Sequence, residues 1–147
     1  MYSCNKEGCG DDTSALPPPP GAILMIQDSA GNDLVFGDSA RYSFNSMDFY
    51  RIEENNKLIR ASWWVSMHNM DSVIRFFIAP YYKNPFYSSF QVHYNNGSEV
   101  DVLQLEQTGT PDERECTTRY FYRVRLNGEV ILSNTSTDDT PIITIVK

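Results

Sequence analysis

The clearest structural signal in this chain is the segment TRYFYRVRLNGEVIL at residues 118–132. In its first nine residues, mostly apolar side chains alternate with positions of which three out of four are arginine. Alternation with a period of two residues is typical of a β-strand with one buried face. The dipeptide Asn127-Gly128 follows, and Asn-Gly between alternating segments is a strong signal for a tight hairpin. The apolar residues Val130 to Leu132 then predict the returning strand. This segment therefore predicts an antiparallel β-sheet.

A second hairpin is predicted around Asn96-Gly97, because alternating apolar residues lie on both sides of it. Before this turn the apolar positions are Phe90, Val92 and Tyr94. After it they change register, from Val100 and Val102 to Leu103 and Leu105, which would turn the side chains to the other face of the sheet. We therefore expect a bulge or a strand end near Leu103.

Residues 58–67 also alternate and predict one half-buried strand, with Trp63 on one face and Trp64 on the other. Shorter apolar segments at residues 22–27, 49–52, 73–78 and 142–146 bring the total to eight to ten short strands. No segment favours a long helix. Regularly spaced strands with turn residues between them predict an all-β fold, and we expect one antiparallel, immunoglobulin-like β-sandwich over residues 22–147.

Composition narrows the classes of partner. The chain has 147 residues, enough for a single domain with a sizeable core, and its net charge is −7. Phosphate binding needs clustered Lys and Arg, so we expect no nucleic-acid partner. The chain contains no run of 18 apolar residues, so the sequence predicts no transmembrane helix.

The first 21 residues predict a disordered leash ahead of this domain. Four prolines, Pro17 to Pro20, follow a polar segment that contains Cys4 and Cys9. Ser3-Cys4 matches the end of a bacterial lipoprotein signal, although no apolar signal core precedes it, so we expect a truncated leader with lipidation at Cys4. Cys9 and Cys116 could then form a disulfide in an oxidising compartment. A Cys4–Cys9 pair or three free thiols remain alternatives, because spacing does not determine connectivity.

Three parts of the chain resemble small uncharacterised lipoproteins of Bacteroides and related bacteria. These are the leader from Cys4 to Pro20, the turn segment from Gln27 to Leu34, and the C-terminal segments 125–130 and 143–147. The resemblance implies an extracytoplasmic protein, in the periplasm or on the outer-membrane surface, held to the membrane only through a lipid anchor. The shared motifs form turns, so the resemblance implies no reaction.

The residue types that carry chemistry form no familiar catalytic motif. His68 and His93 lie on different predicted strands, and no nucleophile motif, zinc motif or phosphate-binding glycine loop is present. A hydrolase would need His93 to converge with Glu99 or Asp101 in one pocket. We expect those two carboxylates to be solvated neighbours instead, and we predict no enzymatic activity and no cofactor.

We also predict no metal site. Calcium is the metal that the chain suits best, because Asp28, Asn32 and Asp33 supply oxygen ligands within one short segment. Their spacing fits no standard calcium-binding loop, and ordinary turns explain these residues better.

Aromatic residues are the candidates for ligand binding. Trp64 lies on the face opposite Trp63, and four more rings lie in or beside a proline-bounded loop, namely Tyr81, Tyr82, Phe86 and Tyr87. Such rings can stack on sugars or anchor proteins, although packing under a second sheet or within the loop would also explain them. We predict a non-catalytic envelope module that binds a glycan or a peptide. The alternative is a structural or adaptor subunit that engages an envelope protein through an open sheet edge.

Overall fold

The computed structural model describes residues 21–77, 86–112, 117–134 and 141–147. In these ranges two β-sheets pack face to face, which confirms the predicted β-sandwich. Single 3₁₀ turns lie at Phe44–Ser46 and Asn95–Gly97. The strands of the described residues are β1 (Gly21–Gln27), β2 (Asp48–Ile52), β3 (Leu58–Arg60), β4 (Trp63–His68), β5 (Asp71–Phe77), β6 (Phe86–Tyr94), β7 (Glu99–Asp112), β8 (Thr117–Leu126), β9 (Glu129–Asn134) and β10 (Ile142–Val146).

One sheet has four strands in the order β10-β1-β5-β4, and the other has six in the order β3-β2-β6-β7-β8-β9. Among the described strands, neighbours are antiparallel with one exception, since β10 runs parallel to β1 with Ile142 opposite Ile23. The sandwich is therefore not purely antiparallel. The backbone N–H of Lys147 donates to the Gln27 carbonyl at 2.8 Å, so Lys147 leaves the sheet beside the end of β1.

Aromatic rings fill the centre of the core. Phe49 of β2 stacks on Phe90 and on Trp63, with ring centroids 4.9 Å apart in each pair. Phe76 of β5 meets Phe49 edge-on at 4.8 Å, so rings from both sheets interlock across the interface. Offset and edge-on arrangements place the positive ring edges against negative ring faces, which adds to the stabilisation from apolar burial.

The prediction of one continuous strand over residues 58–67 is wrong. The chain leaves the six-stranded sheet after β3 and enters the four-stranded sheet at β4. The N–H of Ala61, between the two strands, still donates to the Phe49 carbonyl at 2.9 Å. The alternation of side chains continues through the crossing, so Trp63 still reaches the core. The two-residue alternation of side chains therefore does not reveal where the chain passes from one sheet to the other.

The predicted bulge or strand end near Leu103 is also wrong, because β7 runs unbroken from Glu99 to Asp112. Its buried residues are Asp101, Leu103, Leu105 and Gln107, while Val100 is exposed. Asp101 therefore faces inward, although the sequence had predicted that its neighbours Val100 and Val102 would face inward. The irregularity lies instead in the pairing of β8 with β9, between Val124 and Arg125.

Candidate functional site

Strand β4 is an open edge. Among the described residues it pairs only with β5, which leaves its outer row of backbone N–H and C=O groups without a strand partner. The strand contains no Lys, Arg, Asp or Glu. Charged residues and prolines normally protect edge strands from pairing with another chain. β4 lacks that protection.

Strand β4 exposes apolar side chains on both of its faces, and its outward face also carries the polar residues Ser66 and His68. Val65 and Met67, which share the inward face with Trp63, are 44% and 58% exposed because they lie at the margin of the sandwich. Trp64, on the outward face, is 38% exposed. A contiguous exposed apolar surface on a soluble domain marks an interaction site more often than an isolated exposed residue does.

The turn after β4 extends this surface. Asn69 and Met70 connect β4 to β5, and both have positive φ, at 50° and 71°. Hairpin turns of two residues require such angles, but a methionine there lacks the freedom of glycine and costs roughly 1–2 kcal/mol. Met70 is 91% exposed. The chain therefore places a flexible apolar side chain at the tip of the hairpin although this position disfavours it.

Two aromatic rings lie together on the outer face of the four-stranded sheet. The centroids of Trp64 and Phe77 are 5.1 Å apart with their planes tilted by 50°. Arg75 lies opposite Trp64 in the strand register, and its guanidinium donates to the Met67 carbonyl at 3.4 Å. Sequence analysis did not select Phe77. Its alternation with Phe76 within β5 was the available signal that it faces outward.

The predicted binding aromatics do not all come together. Tyr87 is 65% exposed, but it lies on β6 and faces away from the buried side chain of Phe90, on the outer face of the six-stranded sheet. Trp64 is on the outer face of the opposite sheet, so these two rings do not share one face. Phe86 begins β6 opposite Gln107. Tyr81 and Tyr82 lie outside the described residues, as do Cys4, Cys9 and Cys116.

A cluster of buried charge lies at one end of the sandwich. Lys147, which follows β10, extends its ammonium group across to β7 of the other sheet. There Nζ lies 2.6 Å from Asp101 Oδ2, contacts the Glu99 carboxylate and sits 4.5 Å above the centre of the Tyr94 ring. Lys147 could not be predicted from local sequence, because Glu99 lies 48 residues before it and only the fold brings the two together.

Further polar contacts hold the two carboxylates. Asn127 Nδ2 donates to Asp101 Oδ1 at 2.9 Å, and Asn127 Oδ1 accepts from the Val102 N–H at 2.8 Å. The Tyr42 hydroxyl donates to Glu99 Oε1 at 3.2 Å. Asp101 is therefore buried and paired, so the expectation that it is solvated is wrong.

The pKa values of the cluster follow from these contacts. Burial alone would raise the pKa of Asp101, but hydrogen bonds from Lys147 and Asn127 outweigh it and lower the pKa. Burial alone would lower the pKa of Lys147, and its hydrogen bonds to Asp101 and Glu99 raise it instead. Burial, and then the negative charge of Asp101, raise the pKa of the Tyr94 hydroxyl. At neutral pH the ion pair is charged and Tyr94 is neutral.

His93 does not join these carboxylates. It lies on β6 next to the inward-facing Tyr94, so its side chain faces outward, whereas Asp101 faces inward from β7. Its Nε2 lies 2.8 Å from Gln91 Oε1, and its ring packs edge-on against Tyr50 at 4.8 Å. The constellation that a hydrolase would need at His93 is therefore not formed with Glu99 or Asp101.

Beside the charge cluster lies an open pocket of about 390 Å³, lined by Arg41, Tyr42, Asn95, Glu99 and Lys147. The Arg41 guanidinium lies 5.4 Å from the centre of the Tyr42 ring. Lys147 and Glu99 contact each other in the pocket wall, so their charges largely neutralise one another. The lining residues carry polar or charged groups, and the pocket is open to solvent.

The acidic segment that was considered for calcium forms a turn. Asp28 Oδ1 accepts from the N–H groups of Ala30 and Asn32, both at 2.9 Å, and Oδ2 accepts from Asn32 Nδ2. The side-chain bond from Asn32 is the largest cause that lowers the pKa of Asp28. Within the described ranges, no three His, Cys, Asp or Glu residues converge in a way that could hold a metal.

In comparisons with known proteins, the chain matches no family model, no curated protein and no solved structure. No helix in the described part of the chain is long and apolar enough to cross a membrane.

Proposed function

We propose that this chain is a non-catalytic interaction module of the bacterial cell envelope that binds an extended peptide segment of a partner protein along β4. The observation that carries the proposal is the combination at β4 of an open backbone edge with exposed apolar side chains on both faces. An added strand would form main-chain hydrogen bonds with the edge, and its alternate side chains would lie beside those of β4.

The two faces of β4 indicate the chemistry of the preferred peptide. On the outward face an added strand would contact Trp64, and on the inward face it would contact Val65 and Met67. A peptide with apolar residues on both faces, rich in β-branched or aromatic side chains, would bury the largest area. The chain's net charge of −7 disfavours acidic peptides at long range.

The proposal includes a cellular location, namely attachment to a membrane of the cell envelope. Lipidation at Cys4 would anchor the chain, and the proline-containing leash would let the β-sandwich reach partners near the membrane. The sequence of the leader and the resemblance to Bacteroides-type lipoproteins support this location. A Cys4→Ala variant expressed with a lipoprotein signal should lose incorporation of a labelled fatty acid, and incorporation that persists in this variant would contradict lipidation at Cys4.

The binding test uses the full chain against an array of short peptides, with Val65→Lys as the edge variant. A lysine on an edge strand opposes strand addition, so peptide binding should be lost in this variant. Val130→Lys is the matched control, because Val130 is 53% exposed on β9, an edge strand of the other sheet. Equal binding by both variants and the wild type would reject β4 as the site.

The exposed Trp64–Phe77 pair favours a second candidate function, recognition of a glycan on the outer face of the four-stranded sheet. Aromatic rings can stack on the apolar faces of sugars. A glycan array distinguishes the two candidates, since Trp64→Ala should abolish glycan binding while Val65→Lys, on the other face, should leave it unchanged. A folded Trp64→Ala variant with undiminished glycan binding would reject this candidate.

A further inference from the structure

The two Asn-Gly hairpin turns differ in length, with four residues between β6 and β7 and two between β8 and β9. The Asn-Gly dipeptide itself has similar φ angles in both, but the two asparagine side chains differ in their contacts. Asn96 and Asn127 both have positive φ, at 57° and 50°. The glycines that follow them, Gly97 and Gly128, have φ of 90° and 96°. Asn96 and Asn127 are both exposed. We propose that Asn96 is a site of spontaneous deamidation and that Asn127 is protected from the same reaction by its hydrogen bonds.

The reaction needs only water as co-reactant. The backbone nitrogen of Gly97 attacks Cγ of Asn96, the Cγ–Nδ2 bond breaks, and the nitrogen leaves as ammonia. The five-membered succinimide that results is then opened by water, which leaves either aspartate or isoaspartate at position 96. Glycine in the next position favours the attack, because it has no Cβ to hinder the approach of its nitrogen and the backbone there rotates freely.

The side chain of Asn96 is free to make this approach. Within the described part of the chain it forms no hydrogen bond, and it lies at the tip of the turn between β6 and β7. The turn is closed by a bond from the Ser98 N–H to the Asn95 carbonyl, at 3.4 Å, which does not involve the Asn96 side chain. Both the amide carbon and the attacking nitrogen can therefore reorient without breaking a side-chain contact.

The side chain of Asn127 is held at both ends. Its Oδ1 accepts from the Val102 N–H at 2.8 Å, and its Nδ2 donates to Asp101 Oδ1 at 2.9 Å. Rotation of the amide toward the Gly128 nitrogen would break both bonds and take from the buried Asp101 Oδ1 the donor that Asn127 supplies, while Oδ2 keeps its contact with Lys147. The product would also place a new carboxylate against Asp101, so the fold opposes both the reaction and its outcome.

Deamidation at Asn96 would change the molecule locally. It adds one negative charge at neutral pH, next to Asn95, which lines the open pocket. Isoaspartate would in addition lengthen the backbone of the turn by one methylene group. Asn96 thus gives the protein a slow change of charge beside the pocket.

The test follows both sites in the full-length protein over time in mildly alkaline buffer, by proteolysis and mass spectrometry. Deamidation at Asn127 should be at least about tenfold slower than at Asn96, since two hydrogen bonds must break before attack. The Asn96→Asp variant provides the chromatographic standard for the aspartate product.

The same measurement in denaturant shows whether the fold is the cause. The difference between the two sites should shrink to a small factor when the chain is unfolded, because the dipeptides are identical. Equal rates in the folded protein would overturn the proposal. A difference that persists unchanged in the unfolded chain would overturn it too, because flanking sequence and not the hydrogen bonds would then be responsible.

Discussion

The Lys147 cluster and the β4 edge depart from the usual distribution of side chains in opposite ways. At the cluster, charged groups lie inside the sandwich, whereas at β4 apolar groups lie outside it. The Lys147 side chain, which is 14% exposed, faces two carboxylates, so the cost of removing these charges from water is offset within the chain. Trp64 of β4 contacts Phe77, but Trp64, Val65 and Met67 all stay substantially exposed in the described part of the chain. This difference is the reason that we propose a stabilising role for the first region and a binding role for the second.

Removing Lys147 should have the largest effect on stability. Lys147→Ala leaves the buried Asp101 carboxylate without its cation, and we expect a loss of about 2–3 kcal/mol in the free energy of unfolding, below the full value for a buried pair because Glu99 is partly exposed. Urea denaturation measures it. The double variant Asp101→Leu, Lys147→Met should recover most of the loss, and a single variant as stable as the wild type would show that the cluster is not structural.

The Lys147 cluster should make the stability of the protein depend on pH, with a loss at acidic pH and another at alkaline pH. The pKa of Asp101 is lowered in the folded protein, so its contribution is present above the ordinary value of 3.8 and is lost as pH falls through the folded pKa. The pKa of Lys147 is raised, so its contribution is present below 10.5 and is lost as pH rises through the folded pKa.

Tyr94 should strengthen the alkaline loss, because the pKa of its buried hydroxyl is raised above 10.0 and the folded state resists its ionisation. Thermal unfolding measured over a range of pH gives both the acidic and the alkaline loss of stability. In Lys147→Met the alkaline loss should be reduced to the part due to Tyr94, whereas an unchanged alkaline profile would contradict the role of Lys147.

The two asparagines of the hairpin turns should differ by a smaller amount. Asn127→Ala removes two hydrogen bonds around Asp101, and we expect it to cost about 1–2 kcal/mol more than Asn96→Ala. Both positions have positive φ, so the backbone penalty for alanine is similar and cancels in the comparison. Chemical denaturation of the two variants side by side gives the difference, and equal losses would mean that Asn127 does not anchor the cluster.

Charge at β4 should have the smallest effect on stability. Val65→Lys and Met67→Lys place ammonium groups at positions that are already exposed, so each should change the free energy of unfolding by less than about 0.5 kcal/mol. The same changes should abolish peptide binding. A large destabilisation would show instead that β4 is covered in the native protein, which would remove the basis of the proposed function.

Local patterns predicted much of the fold and little of the site. The turns at Asn96-Gly97 and Asn127-Gly128 were predicted correctly because turn geometry depends on adjacent residues. Trp64 was selected as an outward-facing ring from alternation alone. The split of residues 58–67 between two sheets was missed, because the side-chain period is the same on both sides of the crossing. Asp101 was missed as a buried residue because burial of a charge depends on a partner that is distant in sequence.

The sequence by itself determined that this chain forms short strands joined by tight turns, because period-two alternation and Asn-Gly dipeptides act over a few residues. Only the tertiary structure decided which strands are neighbours, and with them the sites. The parallel return of β10 beside β1 brings Lys147 to Asp101, and the crossing after β3 leaves β4 at an open edge. Both results depend on contacts between distant segments, which form when two sheets bury their apolar faces against each other.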